Sequence, residues 1–178
     1  MDINALEQAL SELSGQAYPV DDWKPSHEGS IDIVIKSDGQ WFHEGQPFLR
    51  DRLVLLFSKI LTCNYGDYYL VTPGEKLMIT VEDAPFLVVD FEIENIDGLQ
   101  TVWMLTNIGD RVPLSNEFSI RLDGDEQRPY LTLWRGLDAL IERNTYYQLI
   151  EKGMENQLND KTQIIIFSEG SAHNLGTF

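Results

Sequence analysis

The spacing of apolar residues changes period along the chain, and each change marks an element. Residues 4–14 repeat Leu6, Ala9, Leu10 and Leu13 at helical intervals, with Gly15 placed to end the helix. The stretch AYPVDDWKPSHEGS (17–30) holds two prolines and a glycine, which predicts an ordered but irregular approach. Ile31, Ile33 and Ile35 then alternate with Asp32, Val34 and Lys36 as in a strand. Ser37-Asp38-Gly39-Gln40 turns it back into Trp41-Phe42-His43, a hairpin by its Asp-Gly signal. Residues 51–61 return to helical spacing through Leu53, Leu56, Phe57 and Ile60, with Asp51 as the expected N-cap.

The stretch YYLVTPGEKLMITVEDAPF (68–86) reads as two strands on a tight turn. Pro73 presets φ and Gly74 tolerates a positive φ, so Thr72-Pro73-Gly74-Glu75 predicts a type II turn. Leu77, Ile79 and Val81 alternate with polar neighbours until Glu82-Asp83-Ala84-Pro85 stops the strand. Pro85 has no N–H to donate and holds Ala84 extended.

Beyond Pro85, Leu87, Val89, Phe91 and Ile93 are expected on one strand face, with Asp90, Glu92 and Glu94 on the wet one. Asp97-Gly98 turns into a strand over 100–106, and residues 107–110 turn again. Phe118, Ile120 and Leu122 mark another strand, and residues 130–135 a further one ended by Gly136. Leu137 to Ile141 reads as the start of a helix that Asn144-Thr145 breaks, leaving a second short helix with Tyr146, Tyr147, Leu149 and Ile150. The tail closes with a strand and turn. There IIIFSEGSAHNLG (164–176) aligns without a gap on IVIKSDGQWFHEG (33–45). The expected architecture is therefore α+β: two similar halves, each a curved, mainly antiparallel sheet with a covering helix. The division is residues 1–17 as an N-terminal helix, 18–86 as the first half and 87–178 as the second, whose last strand is able to pair back with the first.

Composition narrows function chiefly by exclusion. Of 178 residues, 43% are hydrophobic and 11% aromatic, as in an ordinary globular chain. The 29 acids against 13 bases give a net charge of −16, which repels phosphate backbones and anionic membranes, so neither nucleic acid nor membrane is expected as a partner; the charge reads first as solubility or adaptation to a saline setting, with attraction of a cation or a basic partner as the functional alternative. Cys63 is the single cysteine, so no internal disulfide forms, as in a reducing compartment. It lies just past an apolar helical stripe, where a buried, inert thiol is expected. The first residues lack a basic, apolar leader, and no run of about 20 apolar residues spans a membrane, which points to the cytoplasm.

His27, His43 and His173 are scattered, and no zinc spacing is present, so no metal is expected. GxSxG, GxGxxG and GxxxxGK[ST] are absent, and no cofactor is expected. The acidic corner Glu82-Asp83 and the few bases near turns remain. Trp41, Arg50, Glu75, Lys76, Glu82, Asp83 and Arg135 are the candidate ligand-binding residues, with catalytic residues unassigned. The tryptophans, with Tyr68, Tyr69, Tyr146 and Tyr147, divide between core packing and the lining of a cleft.

Several segments together resemble a bacterial family of domains of unknown function, DUF1285. They are WKPSHEGSIDIVI (23–35), SDGQWFHEGQPF (37–48), LVLLFSKIL (53–61), residues 68–86, TNIGDRVPL (106–114) and RPYLTLWRGLDALIERNTYYQLIE (128–151). The family pattern has Pro where this chain has Asn144, and either residue suits a helix break. The resemblance implies two similar α+β halves, a cleft that binds a ligand and a role in signal transduction. It brings no catalytic residues. The leading expectation is a non-enzymatic small-ligand-binding or regulatory protein with its ligand between the halves. The alternatives are an enzyme using acidic residues in that cleft, and a protein–protein adaptor. Ligand, partner and oligomeric state are open.

Overall fold

The computed structural model describes residues 3–11, 18–158 and 161–177. The chain divides into two compact units, Met1–Pro85 and Phe86–Phe178.

The first unit opens with helix α1 (Ile3–Ser11), whose Leu6 and Leu10 are fully buried. The expected end at Gly15 lies outside the described residues. A single 3-10 turn (Val20–Asp22) leads into strand β1 (His27–Ile35), which starts earlier than the alternation of isoleucines suggests. The reason is pairing: His27 to Ser30 lie parallel to β6 (Glu75–Val81), and that ladder holds a segment with no apolar pattern of its own. Strand β2 (Trp41–His43) returns antiparallel to β1, and β3 (Gln46–Pro47) follows at the edge. The β1–β2 turn forms as its residues demand. Gly39 takes φ 80°, and Asp38 Oδ1 accepts from Gln40 N at 3.0 Å.

Helix α2 (Asp51–Ser58) is capped by Arg50, so Asp51 is its first residue and not its N-cap. An acid there still faces the positive end of the helix. Phe57 is fully buried against Phe48, with ring centroids 6.0 Å apart. The helix stops at Ser58, and Leu61 begins strand β4 (Leu61–Asn64), which runs into β5 (Asp67–Val71) and β6. Cys63 is thus half-buried on a strand. The 72–75 turn is not type II, since Gly74 has no positive φ. Thr72 closes it instead: its N–H donates to Glu75 O at 2.8 Å, and its hydroxyl accepts from Glu75 N at 3.1 Å. A side chain supplies the bond that the left-handed glycine would otherwise have arranged.

The sheet order is β3-β2-β1-β6-β5-β4, with only the central β1–β6 pair parallel. The chain runs from the centre to one edge, crosses through α2 to the other edge, and returns to the centre.

The second unit repeats this path. Strands β7 (Phe86–Ile96), β8 (Leu99–Thr106) and β9 (Arg111–Pro113) run outward. Strands β10 (Ile120–Asp123), β11 (Arg128–Thr132) and β12 (Asp138–Ile141) run back inward. The order is β10-β11-β12-β7-β8-β9, again with a parallel central pair. The internal repeat therefore matches β1–β6 to β7–β12. It does not match residues 33–45 to 164–176. Those two segments share a hairpin because strand, acid-Gly turn and strand form one locally, whatever sheet they join. Residues 164–176 belong to an added three-stranded sheet of β13 (Met154–Leu158), β14 (Lys161–Ser168) and β15 (Ser171–Thr177).

Two further differences from the sequence pattern have physical causes. Residues 138–141 form a strand and not a helix, because β12 finds hydrogen-bonding partners on both sides, β11 and β7. Ala139 and Ile141 are buried there in strict alternation. A single helix α3 (Arg143–Lys152) follows, and Asn144 stands in its first turn, where a proline is tolerated. In β7 the alternation breaks at a bulge between Val88 and Asp90. Val88 is fully buried and Val89 turns outward, its carbonyl accepting from Thr145 Oγ1 at 2.8 Å.

Two similar sheet-rich halves with few helices thus make up the chain, and each has its own core. Ile33, Ile35, Phe57 and Leu70 are fully buried in the first, and Phe86, Val88, Met104 and Leu131 in the second.

Candidate functional site

Most of the residues singled out by sequence are committed to structure. At the acidic corner, Glu82 Oε1 takes the Lys36 ammonium at 2.6 Å and Oε2 accepts from Ser37 N at 3.0 Å. The Lys36 hydrogen bond, reinforced by the Ser37 amide, holds the Glu82 carboxyl below its ordinary range. The backbone adds Glu82 N to Ile35 O at 2.9 Å, so the corner pins the end of β6 to the β1–β2 turn. Asp83 is an adjacent bend residue with interactions of its own. At the other end of β6, Lys76 Nζ lies 4.1 Å from the Tyr69 ring centroid and 3.8 Å from Glu28. The neighbouring Glu75 keeps Oε2 buried and without a hydrogen-bond partner.

Trp41 is a core residue, edge-on to Phe48 at 6.3 Å, and its buried indole N–H has no acceptor. Arg50 is exposed, 3.5 Å from Glu7, on a shallow depression of about 320 Å³ with His43, Leu49 and Leu53. Arg135 stands in the second unit. It occupies a left-handed position (φ 54°, ψ 35°) in the turn between β11 and β12, and has interactions of its own. Lys76 meets Glu28 and Tyr69, Lys36 meets Glu82, Arg50 lies near Glu7, and Trp41 packs on Phe48. These are separate local contacts.

The acidic stripe of β7 behaves as a wet face with a partner. Arg111 bonds Glu92 at 3.0 Å and Glu94 at 2.7 Å while lying 4.1 Å from the Trp103 ring, whose Nε1 donates to Glu94 at 2.9 Å. Among the described residues, no group of three or more His, Cys, Asp or Glu is arranged to hold a metal ion.

A cavity lies within the second unit. It encloses about 590 Å³ between the β10–β11 turn, the end of β12, α3 and β15. That volume is in the range of small-molecule sites. The order of elements makes it: β12 passes directly into α3, so Leu140 and Ile141 form one wall and Tyr146, Tyr147 and Ile150 of the helix form the next. The Gln127 side chain ties the third wall down, donating to Thr177 O at 3.1 Å and accepting from Thr177 N at 3.0 Å.

Tyr146 donates its hydroxyl proton to Leu175 O, and burial pushes its phenol above the ordinary value. Arg143 Nε donates to Tyr147 Oη at 3.1 Å, and its guanidinium lies 5.4 Å from the Tyr147 ring. Glu126 and Glu142 complete the rim beside Arg128 and Arg143. Tyr146 and Tyr147 were visible in the sequence as aromatics suited to a cleft. Arg143, Glu126 and Glu142 were not, although bases are scarce enough in this chain for each arginine to merit a position.

The comparisons with known proteins agree with this two-unit plan. Residues 18–84 match the domain of unknown function (DUF1285), N-terminal domain, and residues 85–175 match the protein of unknown function (DUF1285), C-terminal domain. A crystal structure of a DUF1285 family protein from Silicibacter pomeroyi DSS-3 is 36% identical. It covers 97% of this chain and 94% of its own, with a TM-score of 0.82. A second, from Shewanella baltica OS155, is 33% identical over 67% of this chain and 90% of its own, with a TM-score of 0.55. No curated protein matches the chain. With both of its units matched in order and a relative of this identity along nearly its whole length, the chain belongs to the DUF1285 family.

Proposed function

We propose that this protein is a non-enzymatic small-ligand-binding protein of the cytoplasm with a regulatory role in signal transduction, and that the cavity of the second unit is its ligand seat. One observation carries the reading: an apolar-walled cavity of about 590 Å³ whose rim brings charges of both signs, Glu126, Glu142 and Arg143, beside aromatic and aliphatic side chains. Such a site gains affinity from apolar burial and orientation from a few polar groups. Binding is favoured over catalysis because the half-buried phenol of the cavity, Tyr146, already donates to Leu175 O and is shifted away from neutral pH. Among the described residues no helix is long and apolar enough to cross a membrane, and the single cysteine suits a reducing compartment.

The test is a fragment screen read by two-dimensional NMR of the whole chain. Ligands are expected to shift the resonances of Leu140, Tyr146, Tyr147 and Ile150 together. A library of several hundred polar and aromatic fragments that moves none of these, or moves only residues elsewhere, would refute the assignment of the seat.

A further inference from the structure

We infer that the cavity of the second unit takes a zwitterion with an apolar body, of the size of a dipeptide or a large amino acid; this rests on the reading of that cavity as a ligand seat. The argument is charge accounting at the rim. Glu126, Glu142 and Arg143 all line the cavity, yet none of the three has an ion-pair partner among the described residues. Arg143 follows Glu142 in sequence and shares the cavity rim with Glu126, yet forms an ion pair with neither. Among the described residues Arg143 makes one hydrogen bond, from Nε to Tyr147 Oη, which leaves its terminal N–H groups for a ligand acceptor. Stacking on the Tyr147 ring holds the plane in place.

Each simpler ligand class leaves a charge unsatisfied. An anion meets Arg143 but also two carboxylates and the net charge of −16. A cation meets the carboxylates but is opposed by Arg143 and Arg128. A neutral apolar ligand would desolvate rim charges without giving them partners, which costs free energy. A zwitterion satisfies both signs, with its carboxylate on the Arg143 fork and its ammonium on Glu126 or Glu142. Leu140, Ile141, Ile150 and the two tyrosine rings then bury the apolar body.

The experiment compares four probes on the full chain by calorimetry and two-dimensional NMR. They are Leu-Phe, N-acetyl-Leu-Phe, Leu-Phe-amide and N-acetyl-Leu-Phe-amide, which carry both charges, the negative one, the positive one and none. Leu-Phe is expected to bind tightest, and removal of either charge to weaken binding by roughly tenfold or more, as a missing charged hydrogen-bond partner does. Arg143→Gln should weaken Leu-Phe and leave Leu-Phe-amide unchanged, and Glu126→Gln with Glu142→Gln should weaken Leu-Phe and leave N-acetyl-Leu-Phe unchanged. All three residues are exposed, so these variants are expected to fold. If a singly charged or neutral probe binds the cavity as well as Leu-Phe, the zwitterion is wrong and the seat stands. If no probe moves the cavity resonances while fragments do, the ligand class is again refuted. If neither fragments nor probes move them, the seat itself falls.

Discussion

Ser168→Ala tests how the added hairpin is joined to the second sheet. Strand β9 is short: its ladder covers Trp103, Met104 and Leu105, and Leu114 N adds a bond to Val102 O at 2.8 Å, so the first residues of β8 extend past it and need another neighbour on that edge. The β14–β15 turn supplies one. Glu169 N donates to Gln100 O at 2.8 Å, Gln100 Nε2 donates to Phe167 O at 2.6 Å, and Ser168 Oγ accepts from Val102 N at 2.9 Å. Ser168 and Val102 are both fully buried, so water cannot replace the hydroxyl. Alanine leaves a buried amide without an acceptor, at a cost of about 1–3 kcal/mol. In a unit of this size that lowers the melting temperature by roughly 4–8 °C per kcal/mol. Urea unfolding followed by circular dichroism should show a lower midpoint at unchanged slope, and hydrogen exchange should show Val102 losing protection. Gln100→Ala, which removes a more exposed side-chain bond, should cost less. A Ser168→Ala variant within about 0.5 kcal/mol of wild type, with Val102 still protected, would refute this account of the joint.

Gly153→Ala should destabilise although its backbone (φ −75°, ψ 169°) suits alanine, because the new Cβ would lie 2.5 Å from Ile164 Cγ2 and 3.1 Å from two carbonyl oxygens. The expected loss is about 1–3 kcal/mol, and a double-mutant cycle with Ile164→Ala should recover part of it; strict additivity would contradict the steric cause. His173 is buried with Nε2 unpartnered, and burial depresses its pKa against the opposing pull of the Ser168 backbone and Glu169. The folded state therefore favours neutral imidazole, so this contribution is full above the unfolded value near ~6.5 and is lost as pH falls through the depressed one. Stability should decline with falling pH in that window, and His173→Gln should flatten the decline; an unchanged slope would count against it. Glu82 has the opposite charge and a depressed pKa, so its contribution is full above the ordinary carboxylate value and is lost as pH falls through the lowered one. Glu82→Gln should cause a small loss that shrinks in high salt, and a salt-independent loss would exclude the Lys36 pair as its source.

The local periods of the chain carried the strands around Ile33, Leu77, Met104 and Leu131, the Asp-Gly turns and the helix around Phe57, because these depend on neighbours in sequence. The expectation of two similar, sheet-rich halves holds as well, although the repeat that suggested it, 33–45 on 164–176, is not the one that relates them. What they misassigned depended on partners far along the chain. Residues 138–141 have helix-forming side chains but are held as a strand by β7 and β11. The start of β1 has no apolar pattern and is held by β6. Val89 leaves its expected face because a bulge shifts the register. The pairing of repeats was equally hidden, since hairpin chemistry repeats wherever a hairpin forms, whereas correspondence between halves resides in strand order. The candidate site followed the same rule. Motifs and scarce bases drew attention to Glu82 and Lys76, whose charges are met by neighbours across a turn or a strand. Arg143, Glu126 and Glu142 stand out only when β12, α3 and the β10–β11 turn bring them to one cavity and leave them unpaired. Periodicity reports which face of an element is wet; only the packed chain decides which charges on that face find a partner.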